Sequence, residues 1–327
     1  MRSHIALRIA IAAAGIFAAV RFAGAAPGED AAGEEIELIR DPHFRLGVKA
    51  YAPEPGKKVI LDTFAWNPDG AEPVWGMAQW SSRFPLAAIQ PQTLPDGATR
   101  YANSARAIAA WPGGAGPADL ALHVDSRPEW NGTPRAKGQA WPHLLVEQRL
   151  NECPPLVELA ALRFQIDAKL LRHERFELPG YDPRLHAAQF LIFFTVQDLN
   201  RDSAGFGDFL WLGAPVFDDR HAIPPRLIKG DAGSGKMIFN PGGEAYGNGG
   251  AAIGHWIELR ADLLPLALES IREAWDRGFL SNSRNLQDFR LGGMNMGWEV
   301  TGIDNSEMAV RNLRLTAVKR ANPSSSE

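Results

Sequence analysis

Polar side chains alternate with apolar ones in Gly292–Val300, the pattern of a strand with two different faces. Asn295 and Glu299 share one side with two glycines, whereas Trp298 and Val300 share the other side with two methionines. Glycine weakens a strand, and close approach of a ligand or of another backbone is a common reason for it. The segment therefore predicts an open polar face around Glu299, with a bulged, solvent-facing strand as the alternative.

Two further segments carry aromatic rings at alternating positions. Phe209 and Trp211 share one side of 207–213, and Trp256 and Glu258 share one side of 255–260. An exposed Trp211 would be a platform on which a sugar ring stacks, whereas a buried one would belong to the core. Trp256 and Glu258 could join the same polar face, with an exposed salt pair as the competing explanation.

Along most of the chain, apolar and polar residues alternate with a period of two. This alternation predicts the strands that must position these residues. In 162–170, Leu162, Phe164 and Ile166 alternate with charged or amide side chains, which indicates one dry and one wet face. The segment 190–196 is apolar on both faces and predicts a central buried strand. Further strands are predicted at 59–66, 208–216, 236–240, 255–260, 294–300 and 308–318. The pattern predicts an all-β sandwich.

One amphipathic helix is predicted at about 262–278. Asp262 can cap its N-terminus, and Pro265 falls in the first turn, where a missing N–H costs little. Leucines, Ile271 and Trp275 then form one apolar stripe, and Gly278 is placed to end the helix.

The ends of the chain predict an exported protein. Residues 1–26 have a positive start, a short apolar run and small residues before a cleavage point, as in a signal peptide. An uncleaved anchor is the alternative, and no membrane contact is expected after cleavage. We predict a periplasmic or extracellular location, a single β-sandwich domain over 27–320 with a loop-rich part at 67–143, and a disordered tail at 321–327.

The composition of the chain argues against nucleic acid as a partner and against a disulfide. The net charge is −4 with the two signs mixed, so nucleic acid is not an expected partner. Cys153 is the single cysteine of the chain, which rules out an intramolecular disulfide. No local base accompanies it, so a structural or incidental role is expected. We expect no cofactor.

Two acidic segments leave alternatives open. Asp198, Asn200 and Asp202 have the oxygen spacing of a calcium loop start, but the next glycine and the closing glutamate are absent, so turns made by Asx side chains are favoured. The run 217–221 holds Asp218 and Asp219 beside an arginine and a histidine. A local ion-pair network is the favoured interpretation of that run, with a metal or catalytic role as the alternative.

The last third of the chain resembles the family-twelve glycoside hydrolases, the endoglucanase and xyloglucanase group of the concanavalin-A-like jelly-roll proteins. Trp211-Leu-Gly213 is similar to the end of that family's nucleophile strand, and Gly297-Trp-Glu-Val-Thr-Gly302 is similar to its acid/base segment. The resemblance covers roughly 190–318. It implies a jelly-roll sandwich with long decorating loops, a polysaccharide or oligosaccharide partner, and Glu299 as the acid/base residue.

The second carboxylate departs from the family pattern. Aligning on Trp211 puts Gly207 where the nucleophile belongs, and Asp208 falls on the opposite face unless a bulge rotates it inward. Glu258 is the other candidate partner for Glu299. Substrate contacts are expected at Trp211, Phe209, Asn295 and Trp256. The alternative is a non-enzymatic, structural or protein-binding exported sandwich whose loops in 67–143 display their tryptophans, Trp75 among them, while the sheet face is covered.

Overall fold

The computed structural model describes residues 33–66, 70–231 and 233–321. The predicted signal peptide and nearly all of the predicted disordered tail lie outside these residues. Within them the chain forms seventeen strands and two α-helices: β1 (Glu35–Glu37), β2 (Val48–Tyr51), β3 (Ile60–Phe64), β4 (Trp75–Ala78), β5 (Gln92–Thr93), β6 (Thr99–Ala102), β7 (Arg106–Ala110), β8 (Leu120–Asp125), α1 (Arg127–Trp130), β9 (His143–Arg149), β10 (Leu159–Arg175), β11 (Ala188–Asp198), β12 (Phe209–Asp218), β13 (Leu227–Gly230), β14 (Met237–Asn240), β15 (Trp256–Asp262), α2 (Leu263–Asp276), β16 (Phe289–Val300) and β17 (Asp304–Lys319).

The strands form two sheets, which confirms the all-β, jelly-roll-type sandwich. Sheet A has the order β15-β10-β17-β8-β7-β6-β5, and β1 pairs with the C-terminal part of β17. Sheet B has the order β13-β14-β12-β11-β16-β9-β4-β2-β3. Neighbouring strands are antiparallel except for β12 with β14 and β2 with β4. The chain crosses between the sheets repeatedly, so strands distant in sequence become neighbours in sheet B.

The core lies between the two sheets and contains the predicted dry faces. Phe194 of β11 and Phe164 of β10 meet edge to face, with ring centroids 5.3 Å apart. Trp298 of β16 is fully buried, and its indole N–H donates to the backbone oxygen of Leu122 in sheet A, 2.9 Å away. Because the inward side chains of β16 are fixed in this way, Glu299, the next residue, must point to the opposite face of sheet B.

Helix α2 forms where the capping signals predicted it. The Asp262 carboxylate accepts a hydrogen bond from the backbone N–H of Leu264, 2.9 Å away. Leu263, Ala267 and Ile271 are buried on the side that faces β10 and β12. Among the described residues, no helix is long and apolar enough to cross a membrane.

The expectation of a loop-rich segment at 67–143 missed five strands, β4 to β8. Strand β7 is buried along its whole length, so its sequence Arg-Ala-Ile-Ala-Ala lacks the wet positions that reveal a strand. Trp75 is fully buried, and its indole N–H donates to the backbone oxygen of Asp41, 2.8 Å away. This tryptophan is therefore part of the core and does not belong to a surface patch.

Candidate functional site

A row of four polar residues crosses the outer face of sheet B. Strand register places His143 of β9 opposite Glu299 of β16, Glu299 opposite Gln189 of β11, and Gln189 opposite Asp218 of β12. Directly paired residues in antiparallel strands point to the same face. We refer to His143, Glu299, Gln189 and Asp218 as the polar row.

Glu299 lies beside a histidine and a tryptophan on the outer face of sheet B. Its side chain is 22% exposed, and its Oε2 lies 3.7 Å from Nε2 of His143. Nδ1 of His143 donates to the backbone oxygen of Trp141, 2.9 Å away, so Nε2 is the nitrogen that faces the carboxylate. The indole N–H of Trp141 also donates to Glu299 Oε2, at 3.4 Å. Glu299 therefore has an imidazole nitrogen and an indole N–H as its neighbours on this face.

Asp218 is held as a charged group at the other end of the polar row. Arg220 donates to both of its carboxylate oxygens, at 2.8 and 2.6 Å, and Gln189 donates to Oδ2 at 2.7 Å. Burial alone would raise the pKa of Asp218, but the hydrogen bonds and charge of Arg220 outweigh it, and the pKa is lowered. Asp218 therefore remains a carboxylate at neutral pH.

The spacing of the two carboxylates follows from the sheet. Glu299 and Asp218 lie in strands two positions apart, which separates their backbones by about 9.6 Å. Gln189 lies between the two residues in the sheet and donates to Asp218.

Aromatic rings lie on the same face, toward the other end of β12. Trp211 contacts Phe209 and Phe193 edge to face, with ring centroids 5.0 and 5.9 Å apart. Its indole N–H donates to the Ser234 hydroxyl at 3.3 Å, and its side chain is partly exposed. We refer to Phe193, Phe209 and Trp211 as the aromatic cluster. Trp211 pairs with Thr195, six residues along β11 from Gln189, so roughly 20 Å separates the cluster from the polar row.

Asn295 connects the two groups of side chains. It is opposite Phe193 on one side and Glu147 on the other, and it is largely buried on the outer face. Its side-chain oxygen has no hydrogen-bond partner among the described residues. Glu147 pairs with Lys58. The Asn295 side chain is therefore buried between the polar row and the aromatic cluster.

A cleft opens at the Asp218 end of the polar row. Its volume is about 240 Å³, and it is lined by Gln189, Leu191, Pro215 and Asp218 together with the Pro224–Leu227 segment. A second cleft, of about 390 Å³, is lined by residues that include Pro142 but by no member of the polar row.

Three predicted site residues do not join Glu299, and each placement corrects the sequence-based expectation. Asp208 precedes β12 beside Phe209, which pairs with Gln197, eight residues along β11 from Gln189. No bulge turns it toward Glu299, and it pairs instead with Lys236 at 2.9 Å. Trp256 and Glu258 lie in β15, the edge strand of sheet A. Trp256 stacks under Arg311 and Glu258 pairs with Arg260, so both belong to a different surface.

The polar row contains three residues that the sequence analysis did not select as site residues. Asp218 was noted within an acidic run, and the alternation of β12 would have separated its face from that of Asp219. Gln189 and His143 carry no local signal, since their role depends on pairing with β16, more than a hundred residues away in the chain.

The acidic turn at 198–202 forms with the Asx geometry that was favoured. The backbone N–H of Asn200 donates to Asp198 Oδ1, and that of Asp202 donates to Asn200 Oδ1, both at 3.1 Å. The other oxygen of Asp198 accepts from the hydroxyls of Ser203 and Ser283. Cys153 is buried, and burial raises the pKa of its thiol to about 11, which keeps the thiol protonated and unreactive.

Gly297 is explained by the neighbouring strand. Its φ is +151°, and a Cβ at this position would lie 2.1 Å from the backbone oxygen of Leu144. The glycine pattern indicated close approach of either a ligand or another backbone. At Gly297 the backbone of Leu144 accounts for the glycine, and no ligand is needed.

Replacing Gly297 with alanine is expected to destabilise the protein by about 1–3 kcal/mol or more, because β9 and β16 must separate to admit the methyl group. Urea unfolding followed by tryptophan fluorescence measures the change. Gly249→Ala is the matched control, since a Cβ there meets nothing within 4 Å and the backbone is not left-handed. Equal stability of the two variants would show that the register of β9 and β16 is not as described.

Comparison with known proteins found weak structural similarities. No protein-family model matches the chain, and no curated protein matches its sequence. Among solved structures, it is similar to endoglucanase cel12A from Rhodothermus marinus, with a TM-score of 0.36 and 9% identity over 71% of this chain and 97% of that one. It is also similar to a native family 12 xyloglucanase from Bacillus licheniformis, with a TM-score of 0.37 and 8% identity over 74% and 99%. A third is the xyloglucanase domain of NopAA from Sinorhizobium fredii in complex with cellobiose, with a TM-score of 0.34 and 10% identity over 71% and 96%. All three are endoglucanases or xyloglucanases, the enzymes that the sequence motifs resemble.

Proposed function

We propose that this protein binds an oligosaccharide or polysaccharide along the outer face of sheet B, after export from the cytoplasm. The observation that carries the proposal is that Glu299, the rest of the polar row and the aromatic cluster occupy one face of sheet B, with a bulge of β12 between the row and the cluster. The rings of Trp211 and Phe209 stack against sugar rings, whose C–H faces are apolar. The amides and carboxylates bind the hydroxyl groups, and the roughly 20 Å between cluster and row requires several linked sugars.

The distribution of tryptophans favours this function over display of a loop patch. The alternative hypothesis, in which loops of 67–143 form a partner-binding patch, requires Trp75 at the surface and a covered sheet face. Trp75 is fully buried, whereas Trp211 on the sheet face is partly exposed. This contrast is the one that separates the two hypotheses, and it supports binding at the sheet face.

We extend the proposal to hydrolysis of the bound glycan, with Glu299 as the general acid. A water molecule forms the new bond to the anomeric carbon and releases its proton to solvent, since both carboxylate oxygens of Asp218 already accept hydrogen bonds from Arg220 and Gln189. The bond from that carbon to the glycosidic oxygen breaks, and the leaving oxygen takes the proton of Glu299. Solvent then returns a proton to Glu299, which lies 3.7 Å from Nε2 of His143.

Removing the stacking platform tests the binding. Trp211→Ala is expected to weaken retention on a bound polysaccharide by about tenfold, which corresponds to about 1.4 kcal/mol. Affinity electrophoresis in gels that contain soluble β-glucan, xyloglucan or xylan measures the retention.

Trp256→Ala is the matched control for this experiment, because Trp256 is a partly exposed tryptophan on the edge of the other sheet. It should leave retention unchanged. If the two variants migrate alike on every polysaccharide that retards the parent protein, sugar does not bind over Trp211. If none of the polysaccharides retards the parent protein, the saccharide proposal is wrong for this class of glycans.

A further inference from the structure

A second cluster of ionisable groups lies on the inner side of the polar row, at the end of the sandwich. Asp219 follows Asp218 and therefore points to the opposite face, toward sheet A. There it meets His173 of β10 and Asp304 at the start of β17. One nitrogen of His173 and one carboxylate oxygen from each aspartate all lie within 4.8 Å of one another.

Asp304 is the group that an ion-pair network does not explain. Its exposure is 1%, and neither of its carboxylate oxygens accepts a hydrogen bond from any group in the described part of the chain. Oδ1 of Asp219 is likewise buried without a hydrogen-bond partner among these residues. Carboxylates buried in this manner are paired, protonated or bound to a metal ion, because an isolated buried charge is strongly unfavourable.

Arg175 compensates only one of the two aspartates. Its guanidinium donates to Oδ2 of Asp219 at 2.8 Å and to the Asp219 backbone oxygen at 2.6 Å. Asp304 receives no such bond. Arg175 is thus the neighbouring positive charge of the cluster, but it makes no hydrogen bond to Asp304 or to Oδ1 of Asp219.

His173 has the orientation of a metal ligand. Its Nδ1 bonds to the Ser306 hydroxyl at 3.0 Å, which leaves Nε2 directed at Asp219. Ligating histidines characteristically have their other ring nitrogen held by a hydrogen bond of this kind. The side chain of His173 is 18% exposed, which leaves a path from solvent to the cluster.

We propose that His173, Asp219 and Asp304 bind a divalent transition-metal ion, with Zn²⁺ as the best match. One imidazole nitrogen and two carboxylate oxygens suit zinc better than Ca²⁺ or Mg²⁺, which take oxygen ligands alone. Tetrahedral Zn²⁺ ligands lie roughly 3.4 Å apart, so the three side chains need to close by about 1 Å around the ion. The ion would join sheet A to the end of β12 that carries Asp218.

Metal binding can be measured directly, without any sugar. Tag-free protein is stripped with a chelator, dialysed, and titrated with Zn²⁺ by calorimetry and by competition with a chromophoric chelator. We expect one Zn²⁺ per chain, a higher thermal unfolding midpoint in its presence, and much weaker responses to Mg²⁺ and Ca²⁺. Because no carbohydrate is involved, failure of the saccharide proposal would leave this result unaffected.

Two variants assign the site. Asp304→Asn keeps the shape of the side chain, and His173→Gln removes the imidazole; each is expected to weaken zinc binding by about tenfold or more. His255→Gln is the control, because His255 is exposed and directly precedes β15 of sheet A. This variant should bind zinc as the parent does. Far-ultraviolet circular dichroism shows that each variant is folded. Absence of zinc binding by the parent, or unchanged affinity in either folded ligand variant, would overturn the proposal and leave Asp304 as a buried carboxylic acid that carries a proton.

Discussion

Glu299→Gln is expected to lower the rate of polysaccharide hydrolysis by about 10²–10⁴-fold, since general acid catalysis contributes roughly this factor. Glutamine keeps the size of the side chain and can still accept the Trp141 indole N–H, but it has no acidic proton to give to the leaving oxygen. Retention on polysaccharide should be nearly unchanged, because stacking at Trp211 is roughly 20 Å away. Initial rates of reducing-end release on a panel of soluble β-glucans, xyloglucan and xylan measure the loss.

Asp208→Asn is the matched control for the hydrolysis experiment. Asp208 is a partly exposed carboxylate of the same sheet, paired with Lys236 at the far end of β12, and its loss should not alter the rate. Hydrolysis that survives in Glu299→Gln would remove Glu299 from the chemistry. A parent protein that is retained by a polysaccharide but releases no reducing ends from any of the panel would be a binding protein, and the catalytic part of the proposal would be wrong.

The elements of the fold are largely encoded by local patterns. Alternation predicted the central strands because sheet B is dry on one side and polar on the other, and Asp262 with Gly278 marked the ends of α2. The same reasoning missed β7, whose small apolar residues and single arginine form no alternating pattern, and β5, which is two residues long. Composition rich in glycine and proline then predicts loops although the backbone is paired.

The site could be predicted only in part, because a strand's pattern gives a face but not a neighbour. Alternation placed Glu299, Asn295 and Trp211 on one side, and the sheet register agrees with that placement. The carboxylate of β12 that lies level with Glu299 depends on how β12 and β16 each pair with β11. A short motif match pointed to Gly207 and Asp208, whereas the register leads to Asp218, ten residues further along the strand. Likewise, nothing local assigns Glu258 to sheet A.

A buried ion pair behind the polar row links the stability of the sandwich to the position of His143. Arg106 of β7 is completely buried and donates to Glu129 at 2.8 Å and to the backbone oxygen of His143 at 3.0 Å. Glu129 also accepts from the Ser82 hydroxyl at 2.6 Å and from the backbone N–H of Arg83 at 2.8 Å. Burial lowers the pKa of Arg106 to about 10, although Glu129 opposes the shift, so the guanidinium stays charged at neutral pH.

Replacing Arg106 with methionine is therefore expected to destabilise the protein by about 3–5 kcal/mol, because it leaves the Glu129 carboxylate buried without its counter-ion. Urea unfolding at pH 7 measures the loss as a lower midpoint. Arg260→Met, which breaks the exposed pair with Glu258, is the matched control and should change stability by no more than about 1 kcal/mol.

The double variant Arg106→Met with Glu129→Leu separates the lost pair from lost packing. Removing both charges also removes the uncompensated carboxylate, so this variant should be more stable than Arg106→Met alone. It should still hydrolyse polysaccharide less well than the parent, since the backbone of His143 has lost its donor from sheet A and the imidazole beside Glu299 is less firmly placed. If Arg106→Met unfolds at the same urea concentration as Arg260→Met, the pair is not buried as described, and His143 is held by strand pairing alone.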